Sequence, residues 1–116
     1  MTWGWELIVD AKECDKTKFT YENIHEFTKE LVYRIKMKAY GPVMIEHFAT
    51  HDETKAGFSM AQFIETSNIC AHFVDLNGDA YFNIFSCMEF DRNDALMCID
   101  DYFKPYKVTC SMIERG

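Results

Sequence analysis

"ETSNICAHFVDLNGDAYFNIFSC", residues 65–87, holds two runs rich in aliphatic and aromatic residues on either side of Asn77-Gly78. Asn-Gly between such runs is a strong hairpin signal, because both central positions of a type I′ turn need positive φ. The stretch therefore reads as two antiparallel strands joined by a two-residue turn. In that register Asp75 faces Ala80, His72 faces Asn83 and Asn68 faces Cys87. Ser67 and Cys87 then lie at one end of the hairpin, and His72 is ~13 Å from Cys87 along the strands. One hairpin cannot gather all three. The register also leaves Ser67 and Cys87 on opposite faces, so a bulge or a break in pairing is expected near Ser67.

Working outward, "FSMAQFIET" (58–66) reads as a strand running straight into this stretch, and "VMIEHFA" (43–49) as another strand, separated from it by the polar loop "THDETKAG". "WGWELIVD" alternates Trp3, Trp5, Leu7 and Val9 on one face and reads as the first strand. From Thr20, a plausible N-cap, Ile24, Phe27, Leu31 and Ile35 recur at helical spacing, with Gly41-Pro42 as the stop. Leu96, Ile99 and Phe103 predict a second helix, capped by Asp91 or Asn93 and ended by Lys104-Pro105. "KVTCSMI" closes the chain as a strand with Val108, Cys110 and Met112 on one face. The expected fold is α+β, a two-layer sandwich in which two amphipathic helices cover one face of a mainly antiparallel sheet.

The chain has 116 residues, 48% of them hydrophobic, which suits one domain over residues 1–116. No apolar run approaches the length of a membrane span, and the N-terminal residues lack the basic and apolar regions of a signal peptide. A cytoplasmic protein is expected. Nineteen acidic against 12 basic residues give a net charge of −7, which disfavours nucleic acid and anionic membrane as partners and suits a cationic ligand. The five cysteines are odd in number and form no C-x-x-C pair, which argues against a disulfide framework and against a structural metal site.

Taken singly, Ser67, His72 and Cys87 each have a structural reading: a strand serine bonds to backbone, a strand cysteine fills core, and a lone histidine packs. Their spacing is more informative. The histidine follows Ser67 by five residues and the cysteine by twenty, in the ending "IFSC". This resembles the prokaryotic S-adenosylmethionine decarboxylase proenzymes, a pyruvoyl-dependent family with a Phe-Thr-Cys ending at that place. "WGWELIVDAKECD" is similar to the family's first strand and turn, "EHF" to its "HKF", and "FKPYKVTCSMIERG" to its "LKPKRVEVKELKRG". Ser59 falls where the family has its processing serine.

The resemblance implies a chain that makes its own cofactor. Ser67 would attack the carbonyl of Thr66, turn the amide into an ester, and by β-elimination leave a pyruvoyl group on the new N-terminus. Ser59 and His72 would assist that step. The pyruvoyl ketone would then form a Schiff base with the substrate amine, and Cys87 would return a proton after loss of CO₂. Phe48 corresponds to the aromatic that stacks on the adenine, and Glu65 is taken with it as substrate-binding. The implied substrate is S-adenosylmethionine, the implied pathway spermidine synthesis, and the implied assembly a homodimer with shared sites. The pattern departs in three places: Thr66 and Asn68 replace Glu and His around Ser67, and "VDLNGD" replaces a Trp-Pro-Glu-Tyr-Gly loop. The alternatives are an uncleaved ligand-binding or interaction protein, and an ornithine or arginine decarboxylase.

Overall fold

Alternation makes the first strand, β1 (Gly4–Lys12): Leu7, Val9 and Ala11 are fully buried while Ile8 faces outward. The computed structural model describes all residues, Met1–Gly116. A short 3-10 turn at Lys16–Lys18 leads to α1 (Tyr21–Arg34), where Thr20 Oγ1 accepts the Asn23 N–H at 3.1 Å. The α1 stripe Ile24, Phe27, Leu31 and Val32 is buried, as its spacing predicts. Four strands follow, β2 (Ala39–Phe48), β3 (Gly57–Ile64), β4 (Ser67–Val74) and β5 (Ala80–Ser86), then α2 (Arg92–Phe103) and β6 (Lys107–Arg115). Asp91 caps α2 by accepting the Asn93 N–H at 2.8 Å, and Lys104, left-handed at φ +49°, closes it.

The six strands form one antiparallel sheet in the order β2-β3-β4-β5-β1-β6. α1 carries the chain from β1 to the far edge, β2 to β5 meander back, and α2 crosses again to set β6 beside β1. Both helices lie on one face, which is the expected α+β sandwich. Phe103 sits at the centre of the core between sheet and helices, its ring 4.8 Å from that of Phe27 and 5.0 Å from that of Phe73. Phe103→Ala is expected to cost about 3–5 kcal/mol through lost burial and a residual cavity. Urea unfolding checks this, as a lower midpoint at unchanged slope.

Four local expectations are corrected. The β4–β5 connection is not a two-residue Asn77-Gly78 turn but a five-residue loop, Asp75–Asp79, with Phe73 opposite Ala80 and His72 opposite Tyr81. Asn77 Oδ1 accepts the Asp79 N–H at 2.9 Å, and Gly78, alone at positive φ (+77°), donates to Val74 O. A Cβ at Gly78 would meet Cys14 O at 2.7 Å, since the Cys14 backbone packs on this glycine and its N–H donates to the Gly78 carbonyl at 2.8 Å. That tertiary contact, not the dipeptide, sets the register.

Second, the chain does not run straight from 58 to 73. It reverses at Glu65-Thr66, so that Ile64 pairs with Ser67. Third, Gly41-Pro42 does not stop α1, which ends at Arg34 with Lys36 at φ +61°. The pair instead forms an irregularity in edge strand β2, where the proline's missing N–H is tolerated. The buried Gln62 amide fills the gap by donating to Tyr40 O and Gly41 O at 3.2 and 3.1 Å. Fourth, Trp3 precedes β1 and packs on Phe85 (centroids 5.8 Å) on the outer face, whereas Trp5 packs against the core.

Candidate active site

The Glu65-Thr66 reversal is held by backbone from two sides: Glu65 N–H donates to Lys38 O, and Cys87 N–H donates to Thr66 O, both at 2.9 Å. Ser67, the first residue of β4, carries φ +153°, a conformation that a residue with a Cβ rarely adopts. Such backbone costs on the order of 1–3 kcal/mol and persists only where its surroundings impose it. The ladder itself is continuous here, Ser67 opposite Ser86, so the expected bulge is replaced by a strained dihedral. Ser67 Oγ accepts from Asn68 Nδ2 at 3.0 Å. The Cys87 thiol is exposed at the end of β5, and the Glu65 carboxylate is exposed 3.9 Å from Lys38 Nζ. A carbonyl bonded to a fixed N–H, followed by a strained serine, is an arrangement suited to attack on that carbonyl.

A second cluster lies on the sheet face that no helix covers. Ser59 and His72 are opposite residues of β3 and β4, with Oγ and Nδ1 2.7 Å apart. His72 Nε2 is 2.7 Å from Lys55 O. A carbonyl only accepts, so Nε2 carries a proton and donates to Lys55 O; in the singly protonated ring Nδ1 then accepts the Ser59 hydroxyl. The result is an imidazole with fixed orientation. It borders an open groove of about 580 Å³ lined also by Phe48, Met44, Glu46, Asp10 and Tyr81. The Tyr81 hydroxyl accepts from Lys12 Nζ at 2.8 Å. That bond, with a smaller contribution from Asp79, raises the Lys12 pKa and anchors the ring at the groove wall.

A sequence model of the S-adenosylmethionine decarboxylase family matches residues 5–116. The chain belongs to that family. Among solved structures it is similar to the adenosylmethionine decarboxylase of Aquifex aeolicus, with a TM-score of 0.83 at 20% identity over 99% of this chain and 92% of that one. That likeness shows the fold. No curated protein sequence matches significantly.

In this S-adenosylmethionine decarboxylase family member the sequence-predicted site residues fall into two groups. Ser59, His72 and Phe48 share the outer groove; Glu65, Thr66, Ser67 and Cys87 share the β3–β4 turn. Five residues of β4 separate Ser67 from His72, ~16 Å, and six of β5 separate Cys87 from the residue opposite His72, ~20 Å. The corrected register widens the expected gap. Burial pushes the Cys14 and Cys98 thiols up to about 12, which keeps them inert, whereas Cys87, like Cys70, is exposed. Sequence reasoning missed Asp10, Glu46 and Tyr81. Their signal was parity, because each sits on the same face as Ser59 and His72 once the register is known.

Proposed function

We propose that the protein is a self-processing S-adenosylmethionine decarboxylase whose pyruvoyl group is made from Ser67, and whose product supplies the aminopropyl donor for spermidine synthesis. The observation that carries this reading is the Thr66 carbonyl bonded to Cys87 N–H immediately before the strained Ser67. Ser67 Oγ bonds to the Thr66 carbonyl carbon as the amide C–N bond breaks and the nitrogen takes up a proton. A base then removes the Ser67 α-proton, the ester oxygen leaves with the Thr66 carboxylate, and water displaces ammonia from the remaining enamine to give the ketone. The residues present fit such a group, since the new N-terminus arises beside the exposed Cys87 thiol. When formed, the pyruvoyl group supplies an electron sink for loss of CO₂. Cys87 holds the proton that returns to the α-carbon, and His72, fixed between Ser59 and Lys55 O, moves the proton of the processing step.

The separation of the two groups within one chain supports a two-fold dimer in which His72 and Ser59 of one protomer act on Ser67 of its partner. The uncovered sheet face, where Met44, Phe48 and Ile8 are exposed, is the apolar surface such a partner would cover. Phe48 offers a flat surface to adenine, while Glu46 and Asp10 in the same groove suit the sulfonium cation. Cleaved protein is expected to release CO₂ from carboxyl-labelled S-adenosylmethionine and not from ornithine or arginine; the reverse preference would sink the substrate assignment. On Ser67→Ala protein, which removes turnover, Phe48→Ala should weaken S-adenosylmethionine binding roughly tenfold in calorimetry through lost stacking. Unchanged affinity would remove Phe48 from the site. Thr66 and Asn68, which depart from the family pattern, favour the second reading of an uncleaved binding protein.

A further inference from the structure

Ser86 lies directly opposite Ser67 in the ladder and is fully buried. Its hydroxyl is 2.8 Å from the Thr66 hydroxyl and 2.8 Å from Met88 O, and it accepts the Met88 N–H at 3.0 Å. The Thr66 hydroxyl lies 3.3 Å from Met37 Sδ on its other side. Two consecutive residues therefore hold Thr66 at two points. Ser86 bonds its side chain, and Cys87 N–H bonds its carbonyl. A single attachment would leave the Thr66 peptide free to rotate about the bond between its Cα and carbonyl carbon; two attachments fix the direction in which the carbonyl carbon faces. No buried side-chain nitrogen or oxygen in the molecule lacks a partner. Removing one hydroxyl there leaves Met88 N–H and O without their partner and frees the Thr66 side chain.

From this geometry we infer that Ser86 is the positioning residue of the cleavage step, locking Thr66 so that its carbonyl carbon is presented to Ser67 Oγ with its oxygen on Cys87 N–H. The inference rests on the self-processing reading and deepens it. Ser86 does not touch the reacting atoms; it acts through Thr66. Its contribution falls on formation of the Thr66–Ser67 ester, in which the Oγ–C bond forms as the C–N bond breaks, and not on the later elimination.

The test is a time course of chain separation for wild type, Ser86→Ala, Ser86→Thr and Thr66→Val, run with and without hydroxylamine. Hydroxylamine attacks the ester carbonyl, leaving a hydroxamate on Thr66 and releasing residues 67–116 with an intact Ser67 amine. Ser86→Ala is expected to slow separation roughly tenfold or more, because misplacing a reacting group by a fraction of an ångström to an ångström has effects of that order. Its yield of hydroxylamine-released fragment should fall in step. Thr66→Val, which keeps shape and loses the hydroxyl, should reproduce the loss, and Ser86→Thr should restore the rate. Wild-type speed in Ser86→Ala, or slow separation with an undiminished hydroxylamine fragment, overturns the inference. A Ser86→Ala chain that does not fold leaves the decision to Thr66→Val, whose wild-type speed would also overturn it. Wild-type protein that never separates, with or without hydroxylamine, overturns the self-processing reading itself and this inference with it.

Discussion

Ser67→Ala is expected to stay a single chain under conditions in which the wild-type protein separates completely into residues 1–66 and 67–116. In the proposed processing the hydroxyl is both the nucleophile of the first step and the leaving ester oxygen of the second, so no neighbouring group can replace it. The strained φ of +153° at Ser67 and the N–H of Cys87 on the Thr66 carbonyl remain in the variant, which isolates the chemical role of the oxygen from the geometry of the turn. Intact-mass spectrometry under denaturing conditions reads the outcome directly. The wild-type 67–116 fragment should lack a free α-amine at its N-terminus and react there with a carbonyl reagent, as a ketone does. A wild-type chain that persists whole after long incubation would favour the binding-protein reading, and cleavage of Ser67→Ala at the same bond would place the nucleophile elsewhere.

Mixing Ser67→Ala chains with His72→Ala chains is expected to restore cleavage that neither shows alone. Ser67 and His72 are ~16 Å apart along β4, too far for a proton to pass directly between them in one chain. In a hybrid dimer one site would combine the intact Ser67 of the His72→Ala chain with the intact His72 of its partner. With equal amounts and random pairing, about half of the His72→Ala chains would sit in such hybrids and cleave, while the Ser67→Ala chains would not. Differently tagged chains distinguish the two products. Verified subunit exchange with no recovery would show that His72 acts within its own chain or not at all. Ser59→Ala should complement Ser67→Ala in the same way, because its hydroxyl is bonded to His72 and travels with it.

Much of this was legible in the residues themselves. The stripe Ile24, Phe27 and Leu31 with Thr20 ahead of it specified α1, because helix periodicity and a cap are local properties. Asp91 capped α2 for the same reason. The spacing of Ser67, His72 and Cys87 pointed to the family, and the match over residues 5–116 agrees. What failed was the detail of each reversal. Asn77-Gly78 announced a turn but not its length, since the five-residue loop is stabilised by Cys14 packing on Gly78 from another part of the chain. Glu65-Thr66 carries no turn signal at all. Its reversal is imposed by bonds from Lys38 and Cys87, both distant in sequence.

The same division holds for the candidate site. Sequence alone determined which side chains could carry chemistry, because a hydroxyl, an imidazole and a thiol are properties of residue type. Only the tertiary structure decided which of them meet. Ser59 and His72 are thirteen positions apart in the chain, yet their bond exists because β3 and β4 pair in one register, and a slip of one residue would turn them to opposite faces. Ser86 and Thr66 meet for a like reason, through strand pairing that brings β5 beside the β3–β4 turn. Local patterns fix helices and strand faces through short-range sterics and burial, whereas registers and reversals are set by long-range contacts that no short stretch of sequence contains.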